Sequence, residues 1–165
     1  MSNDLLVHCN KHFQYMPDGR LIWKKKPSNR VKIGQEVGYL TKIGYRQITL
    51  FYKPYYSHRI IYLMHNGHLP EQVDHINGDR SDNRIENLRE CTNSQNSRNR
   101  GSSRNNTSGY KGVSFSKNNK KWIAQITFNR RLIYLGYTDT KEEAALLYNE
   151  AAIKYHGKFA FLNKL

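Results

Sequence analysis

The stretch VDHINGDRSDNRIENLRECTNSQN, residues 73–96, decides how the fold is interpreted. It opens as a strand that contains Asp74 and His75, continues through the turn-rich segment INGDRSDNRIE, and resumes with NLREC as a second strand. The segment TNSQ has the spacing of a capping box, so we expect a short helix from Asn93 that carries Asn96 on its first turn. This order of strand, loop, strand and helix is expected to bring Asp74, His75 and Asn96 together.

These three side chains are of the types that phosphodiester hydrolysis requires. A neutral histidine can take the proton of an attacking water near pH 7. A hard divalent cation neutralises the charge on the phosphate, and it prefers oxygen ligands such as the Asp74 carboxylate and an asparagine carbonyl. Because Asp74 and His75 face opposite sides of a strand, one of them must act from an edge or a bend. Asn77 and Asn83 are expected to be turn residues. The hypothesis of a hydrolytic site therefore depends on Asp74, His75 and Asn96 occurring together in this order, and not on any one residue.

The charge of the chain lies in blocks around this stretch. The net charge is +14. Residues 1–57 hold ten Lys and Arg against three Asp and Glu, residues 58–100 hold six of each, and residues 101–137 hold seven basic residues and no acid. Two basic regions suit a long polyanion better than a small acidic ligand. The alternative is a basic protein whose charge serves solubility alone.

The segments before residue 73 are typical of hairpins and a helix. FQYMPDGRLIWKKK contains two strands around a Pro-Asp-Gly turn, and VGYLTKIGYRQITLF contains two strands with Gly44 near a bend. SHRIIYLMHNG predicts a short helix that Ser57 caps and Gly67 ends. The N-terminus has no apolar signal run, and no stretch approaches membrane-spanning length.

The segment after residue 100 predicts a second module. GSSRNNTSG, residues 101–109, has the composition of a polar linker. Three short strands follow, and then a helix with a Thr140–Glu143 capping box that ends at Gly157. Strand alternation assigns one face to Val113, Phe115, Trp122, Ala124, Ile126, Ile133 and Leu135, and the outward face to Ser114, Ser116, Ile123, Gln125, Thr127, Leu132 and Tyr134.

The stretch from about residue 57 to residue 99 closely resembles the HNH endonucleases of the phage and intron-encoded branch. The shared motifs are DHINGD, DNR, ENLR and the final QN. The resemblance implies a ββα-metal (His-Me finger) fold with His75 as the general base and Asn87 bracing the loop through hydrogen bonds. It also implies that Asn96, in place of a final histidine, binds one Mg²⁺ or Mn²⁺ ion together with Asp74. His58 matches a recurring position whose role is structural or DNA-contacting.

The C-terminal module resembles the DNA-binding domain of plant ethylene-response factors (AP2/ERF type). Gly112-Val113, Lys121-Trp122, Leu135-Gly136 and the closing FAFLN are among the matching pieces. The resemblance implies a three-stranded sheet in the major groove of DNA with the helix behind it. Small residues replace several of the family's outward arginines, which weakens guanine readout. The predicted DNA contacts are Lys111, Ser114, Lys117, Lys121, Gln125, Thr127, Arg130, Arg131 and Tyr134, with Arg98 and Arg100 before the linker.

The sequence therefore predicts an α+β chain with four parts. These are an N-terminal β-rich DNA-contacting region (1–56), an HNH nuclease module preceded by β-hairpins (57–100), the linker (101–109), and a three-stranded antiparallel sheet plus one helix (110–165). Cys9 and Cys91 are too few for a Cys-rich zinc site, so no structural zinc is expected.

The expected function is metal-dependent cleavage of double-stranded DNA by a phage homing-type enzyme in the host cytosol. We expect a monomer or weak dimer that uses no membrane and no small-molecule cofactor. The alternatives are a catalytically silent, sequence-specific DNA-binding regulator, and an RNA-binding factor, whose usual paired stacking aromatics are not apparent. The protein-binding use of the C-terminal sheet is a further alternative.

Overall fold

The computed structural model describes residues 2–103 and 105–165, so Met1 and Arg104, the latter in the predicted linker, lie outside the described residues. Contacts between residues divide the chain into a first unit, residues 1–93, and a second unit, residues 94–165. Both units mix helices with small antiparallel sheets. None of the helices in the described ranges is both long and apolar enough to cross a membrane.

The first unit contains two helices and three small antiparallel sheets. The helices are α1 (Ser2–His12) and α2 (Ser57–Asn66). The strands are β1 (Phe13–Tyr15), β2 (Leu21–Trp23), β3 (Tyr39–Leu40), β4 (Arg46–Leu50), β5 (Lys53–Tyr56), β6 (Gln72–His75) and β7 (Leu88–Cys91). The pairs β1–β2 and β6–β7 form two-stranded sheets, and β3, β4 and β5 form a three-stranded sheet in that order. The predicted hairpins and the predicted second strand are confirmed.

The helix α1 was not predicted from the sequence. Its buried residues are Leu5 and Cys9, which lie one turn apart and continue into the buried Phe13. Two apolar residues at a spacing of four are too few to identify an amphipathic helix among polar neighbours. Tertiary packing therefore supplies most of the stabilisation of α1.

The predicted cap of α2 is wrong in one respect. The helix begins at Ser57, but Tyr56 occupies the N-cap position and makes no side-chain capping bond. The Ser57 hydroxyl is buried and finds no hydrogen-bond partner among the described residues. The C-terminus follows the prediction, since Gly67 adopts φ 75° and its N–H donates to the Leu63 carbonyl at 2.8 Å.

One hydrophobic core joins the two parts of the first unit that the sequence separates at residues 56 and 57. Its buried members come from α1, the hairpins, α2 and both β6 and β7: Leu5, Cys9, Phe13, Leu21, Val37, Ile48, Leu50, Ile60, Ile61, Tyr62, Leu63, Val73 and Leu88. The N-terminal hairpins therefore pack as part of the same folded body as the segment that carries Asp74 and His75.

The second unit is a three-stranded sheet with one long helix. The helix α3 (Asn93–Asn99) begins where the sequence predicts, and the strands are β8 (Val113–Ser116), β9 (Lys121–Phe128) and β10 (Arg131–Thr138), with β9 in the centre. The helix α4 (Lys141–His156) packs on this sheet, and both hydrogen bonds of its predicted capping box are present. Gly112 is required at its position, because a Cβ there would lie 2.1 Å from the ring of Tyr148.

The predicted inward face of this sheet is buried at Val113, Ala124 and Ile126 and half-buried at Trp122, Ile133 and Leu135. Val113, Ala124 and Ile126 pack against alanines of α4 and against Tyr148. Phe115 differs, because 48% of its surface is exposed and it packs edge-to-face on Trp122. Three of the predicted outward residues are exposed, namely Thr127, Leu132 and Tyr134. The other four are half-buried: Ser114, Ser116, Ile123 and Gln125.

Candidate active site

The strand β6 places Asp74 and His75 side by side in the first unit. In the register with β7, Asp74 lies opposite Arg89 and His75 lies opposite Leu88. Both side chains are buried. The alternation of the strand gives the carboxylate and the imidazole different neighbours, so each is held by its own set of contacts.

The imidazole of His75 is held by Asn83, which the sequence identifies only as a turn residue. The Nε2 atom of His75 lies 2.9 Å from Oδ1 of Asn83, and both residues are buried. An amide oxygen only accepts hydrogen bonds, so Nε2 carries the proton of the neutral ring and Nδ1 carries its lone pair. Burial lowers the pKa of His75, against the opposing effects of the Asn83 hydrogen bond and of nearby carboxylates.

The loop between β6 and β7 is braced by Asn87. The Nδ2 atom of Asn87 donates to Oδ1 of Asn77 at 3.0 Å and to the Asp82 carbonyl at 2.7 Å, and its Oδ1 accepts from the Asn77 N–H at 3.0 Å. Asn77 also donates to Oδ2 of Asp82 at 2.8 Å. These bonds close the loop onto a single arrangement, and the loop carries Asn83 to His75.

The β1–β2 turn packs against the end of this loop. A Cβ at Gly19, which has φ 87°, would lie 2.6 Å from the backbone nitrogen of Arg84 and 2.7 Å from the Asn83 carbonyl carbon. Tyr15 Oη accepts a hydrogen bond from the Ile85 N–H at 3.1 Å. The N-terminal hairpin therefore helps to hold Asn83 at its position, a contact that sequence spacing does not reveal.

Aromatic rings surround the other side of His75. The rings of His58 and His75 are 4.8 Å apart between centroids, and the ring of Tyr45 lies 5.2 Å from His58 and 6.0 Å from His75. Tyr56 stacks on His58 at 5.7 Å. His58 is buried, and burial, followed by the charges of His75 and Arg59, lowers its pKa to about 3. A neutral His58 packs against the ring of His75, and Tyr45 and Tyr56 are neighbours that the sequence does not indicate.

The carboxylate of Asp74 is held by Arg89 across the strand pair. The Nε and Nη2 atoms of Arg89 donate to Oδ2 of Asp74 at 2.9 and 2.6 Å, and both side chains are largely buried. A buried carboxylate is the type of donor that a hard cation selects, so Asp74 fits a divalent metal ion in its chemistry. Arg89 fixes its orientation.

The structure gives less support to the other predictions about metal binding. Asn96 is half-buried on α3 in the second unit, and its role as a metal ligand stays a prediction. Within residues 2–103 and 105–165, no group of three His, Cys, Asp or Glu side chains is arranged to hold a metal ion. Both cysteines are buried thiols, and burial raises the pKa of Cys9 to about 12.

The predicted DNA contacts of the second unit have different surroundings. Lys117, Arg130, Arg131, Thr127 and Tyr134 are exposed, Arg100 is exposed, and Arg98, Ser114 and Gln125 are half-buried. Lys121 is exposed and pairs with Asp139 at 3.1 Å. The ammonium of Lys111 donates to the carbonyls of Arg98 and Arg100, so it closes the end of α3 within the unit. These contacts leave the DNA roles as predictions.

A cavity of about 490 Å³ lies beside several of these residues. It brings together Arg98, Lys111, Gln125, Thr127 and Arg130, and none of the residues that line it is an acid. Burial lowers the pKa of Lys111 to about 8. The cavity is electropositive and is framed in part by the outward face of the sheet.

Residues 55–98 match the family described as HNH endonuclease. The matched range contains Asp74, His75, Asn83, Asn87 and Asn96. It covers α2, β6, β7, the loop between these strands, and most of α3.

Similar proteins come from viruses and from plants. Over 112 residues the chain is 32% identical to Protein 3.8 of Escherichia phage T7, a match that covers 67% of this chain and 92% of the phage protein. It is 37% identical over 131 residues to the Uncharacterized HNH endonuclease L560 of Acanthamoeba polyphaga mimivirus, covering 77% of this chain and 66% of that protein.

The plant match is shorter. The chain is 43% identical over 56 residues to Ethylene-responsive transcription factor WRI1 of Arabidopsis thaliana, which covers 33% of this chain and 13% of the plant protein. No solved structure matches the chain.

Proposed function

From its membership of the family of Protein 3.8 of Escherichia phage T7, we propose that the chain is a metal-dependent DNA endonuclease. The match of residues 55–98 to the HNH endonuclease family supports this proposal. Its substrate is the phosphodiester bond of double-stranded DNA. The observation that carries this proposal is the buried pair of His75 and Asn83 beside the carboxylate of Asp74.

In this mechanism His75 is the general base. The Asn83 amide holds the proton on Nε2, so the lone pair on Nδ1 accepts the proton of the attacking water. The rings of Tyr45 and His58 limit the rotation of the imidazole, because their centroids lie 6.0 and 4.8 Å from that of His75. Holding the base in one orientation before the reaction lowers the entropic cost of the transition state.

Asp74 and Asn96 are the residues that would hold the divalent ion, Mg²⁺ or Mn²⁺. When bound, such an ion neutralises negative charge that develops on the phosphate and on the departing sugar oxygen. Arg89 keeps the Asp74 carboxylate in place through its two hydrogen bonds. Asn87 fixes the loop on which the base depends.

The two basic regions bind the DNA in this proposal. The second unit acts as an ethylene-response-factor-like module whose outward face meets base edges through Ser114, Gln125, Thr127 and Tyr134. Lys117, Arg130 and Arg131 meet phosphates, which positions the module. We place the activity in the cytosol of a phage-infected host and assign it to the homing type, with the protein as a monomer or weak dimer.

The test is incubation of the full chain with phage and host DNA in the presence of Mg²⁺ or Mn²⁺, followed by mapping of the new 5′ ends. We expect discrete cuts that disappear with chelator and with His75→Ala. His68→Ala is the matched control, since His68 is an exposed histidine paired with Glu90. Cutting by His75→Ala at the normal rate would remove His75 from the mechanism.

The second candidate function is a sequence-specific DNA-binding regulator without catalysis. The plant match favours it, because that relative is described as a transcription factor and the 56 matched residues equal the length of residues 110–165. Site-specific binding without new 5′ ends under any metal condition would select this function over the nuclease.

A further inference from the structure

The tip of the β4–β5 hairpin has a backbone conformation that its residues do not favour. Leu50 pairs with Lys53, so the loop consists of Phe51 and Tyr52 alone. These residues have φ 50° and φ 63°. A two-residue turn with both φ values positive is normally built from Asn-Gly, because a bulky side chain is strained there.

The folded unit gains little from these two side chains. Tyr52 is fully exposed, and 57% of the surface of Phe51 is exposed. Phe51 contacts the ring of His8 at 4.7 Å, whereas Leu50, the residue before it, is buried. The tip thus combines strain with exposed aromatic surface, a combination that occurs where a protein contacts a partner.

The charge of the N-terminal segment that contains the tip indicates the partner. Lys53 follows Tyr52 and is exposed, and residues 1–57 hold ten basic residues against three acidic ones. A polyanion with a stacked apolar interior, which is duplex DNA, matches both the charge and the aromatic tip. This step rests on the proposed function, which supplies DNA as the substrate.

The other end of the same hairpin reaches the candidate active site. Tyr45, just before β4, and Tyr56, the last residue of β5, have ring centroids 4.8 Å apart, and Tyr45 lies 6.0 Å from His75. The strand β4 has five residues, so at about 3.3 Å per residue the tip is about 17 Å from this end. That length corresponds to about five base pairs of DNA.

We propose that Phe51 and Tyr52 form a wedge that inserts between base pairs of duplex DNA, within about five base pairs of the phosphate that is cut. Insertion unstacks one base step and kinks the duplex. The kink brings the DNA backbone toward His75, because the β4–β5 hairpin carries the wedge at one end and reaches His75 at the other. In the free protein Tyr52 is already fully exposed and Phe51 is more than half exposed.

The test uses a duplex that carries the mapped cut site, with 2-aminopurine placed at successive positions around it. A mixed-sequence duplex at low salt replaces it if no cut is found. Binding of the full chain is expected to raise the 2-aminopurine fluorescence at one base step, and end-to-end energy transfer is expected to report a bend.

The central variant replaces Phe51 with Asn and Tyr52 with Gly. This variant is expected to unfold at a higher temperature, because the turn strain is relieved. It is also expected to lose the fluorescence rise and the bend, and to cut intact duplex about tenfold more slowly. Cutting should recover on a duplex with a mismatch at the same step, since the unstacking cost is then smaller.

Two further variants separate the wedge from general surface effects. Phe51→Leu with Tyr52→Leu keeps an apolar wedge and should keep the fluorescence rise. Val7→Ala removes an equally exposed apolar side chain from α1 and should leave both signals unchanged.

An Asn-Gly variant that binds and bends DNA as the wild type does would overturn the proposal, as would wild-type binding without a fluorescence rise at any position. If the wild type unstacks a base step but cuts no DNA, the nuclease proposal fails, and insertion of the wedge stands without its stated distance from a cut. If it does not bind DNA at all, both fail.

Discussion

Oδ1 of Asn83 lies 2.9 Å from Nε2 of His75, eight residues away in the chain and buried with it. This contact fixes which ring nitrogen carries the proton. We therefore infer that Asn83 positions His75, the proposed general base, and that the hydrogen bonds of Asn87 within the loop between β6 and β7 help to hold Asn83 there.

Replacing Asn83 with Leu is expected to slow cleavage roughly 10- to 100-fold, the range typical of a residue that orients a functional side chain. The DNA dissociation constant should stay unchanged, because the amide faces His75 and not solvent. Asn83→Asp keeps an acceptor at the same place and should recover most of the rate. Single-turnover cleavage and equilibrium binding measure the two effects, and Asn118→Ala in the exposed β8–β9 turn is the control. Equal losses for the Leu and Asp variants would refute the positioning role.

His75→Ala is expected to reduce the cleavage rate by roughly two to four orders of magnitude, the usual contribution of a general base. Binding to the same duplex should change little. The measurement is the rate of product formation at saturating protein, with the unfolding temperature of each variant recorded alongside.

The Asp74–Arg89 pair allows metal binding to be separated from stability. Asp74→Ala leaves Arg89 buried without its carboxylate, which is expected to cost about 3–5 kcal/mol of the free energy of unfolding. The double variant Asp74→Ala/Arg89→Leu should recover much of that stability and yet remain deficient in metal-dependent cleavage. Urea unfolding and titration of activity against Mg²⁺ and Mn²⁺ provide the two readouts. A double variant with the wild-type metal response would exclude Asp74 as a ligand. Asn96→Ala is expected to weaken the metal response in the same titration.

His58 makes the stability of the first unit depend on pH. Its pKa falls from 6.5 to about 3 on folding because of burial, so the folded unit holds a neutral ring where the unfolded chain binds a proton. The stabilisation is complete above pH 6.5 and is lost as pH falls toward 3, at on the order of 1 kcal/mol per pH unit. Tyr45, Tyr56, His75 and Arg59 face this ring. His58→Phe should flatten the dependence in urea unfolding measured at neutral and at acid pH. A variant with the wild-type slope would assign the effect to other groups.

Arg130→Ala with Arg131→Ala is expected to weaken binding to target and random DNA alike. Each lost phosphate contact should reduce the slope of log affinity against log salt by about 0.9. Gln125→Ala should act differently, relaxing preference at one base pair by about 1–3 kcal/mol if the contact is bidentate. Binding of both variants to specific and scrambled duplexes across a salt series compares them. A change of specificity in the arginine variant alone would mean that the sheet docks in another way.

The features that sequence predicts well here depend on neighbouring residues. The Thr140–Glu143 capping box, the start of α3 at Asn93 and the end of α2 at Gly67 each involve residues within four positions of one another. The prediction that Ser57 caps α2 is wrong, because Tyr56 occupies the N-cap position. The ring of Tyr56 stacks on that of His58, a contact that the spacing of residues does not predict.

The features that sequence does not predict depend on distant residues. The hydrogen bond of Asn83 to His75 requires a closed loop, and the support of that loop by Gly19 requires a hairpin more than sixty residues earlier. The exposure of Phe115 likewise depends on which part of the sheet α4 covers. A pattern of residue types contains no information on these contacts until the core is assembled.

The shared core of the first unit limits how such proteins can be recombined. Val37, Ile48 and Leu50 of the hairpins pack in one cluster with Ile60, Leu63 and Val73. A chimera joined at residue 57 would combine two segments whose core residues come from different proteins. The apolar side chains that pack against each other across this junction would no longer match, and part of their surface would be exposed. Exchange of the proposed cutting module between relatives should therefore succeed with residues 1–99 as the transferable segment, because α3 carries the proposed metal ligand Asn96. New target preference within that segment has to come from substitutions on its surface.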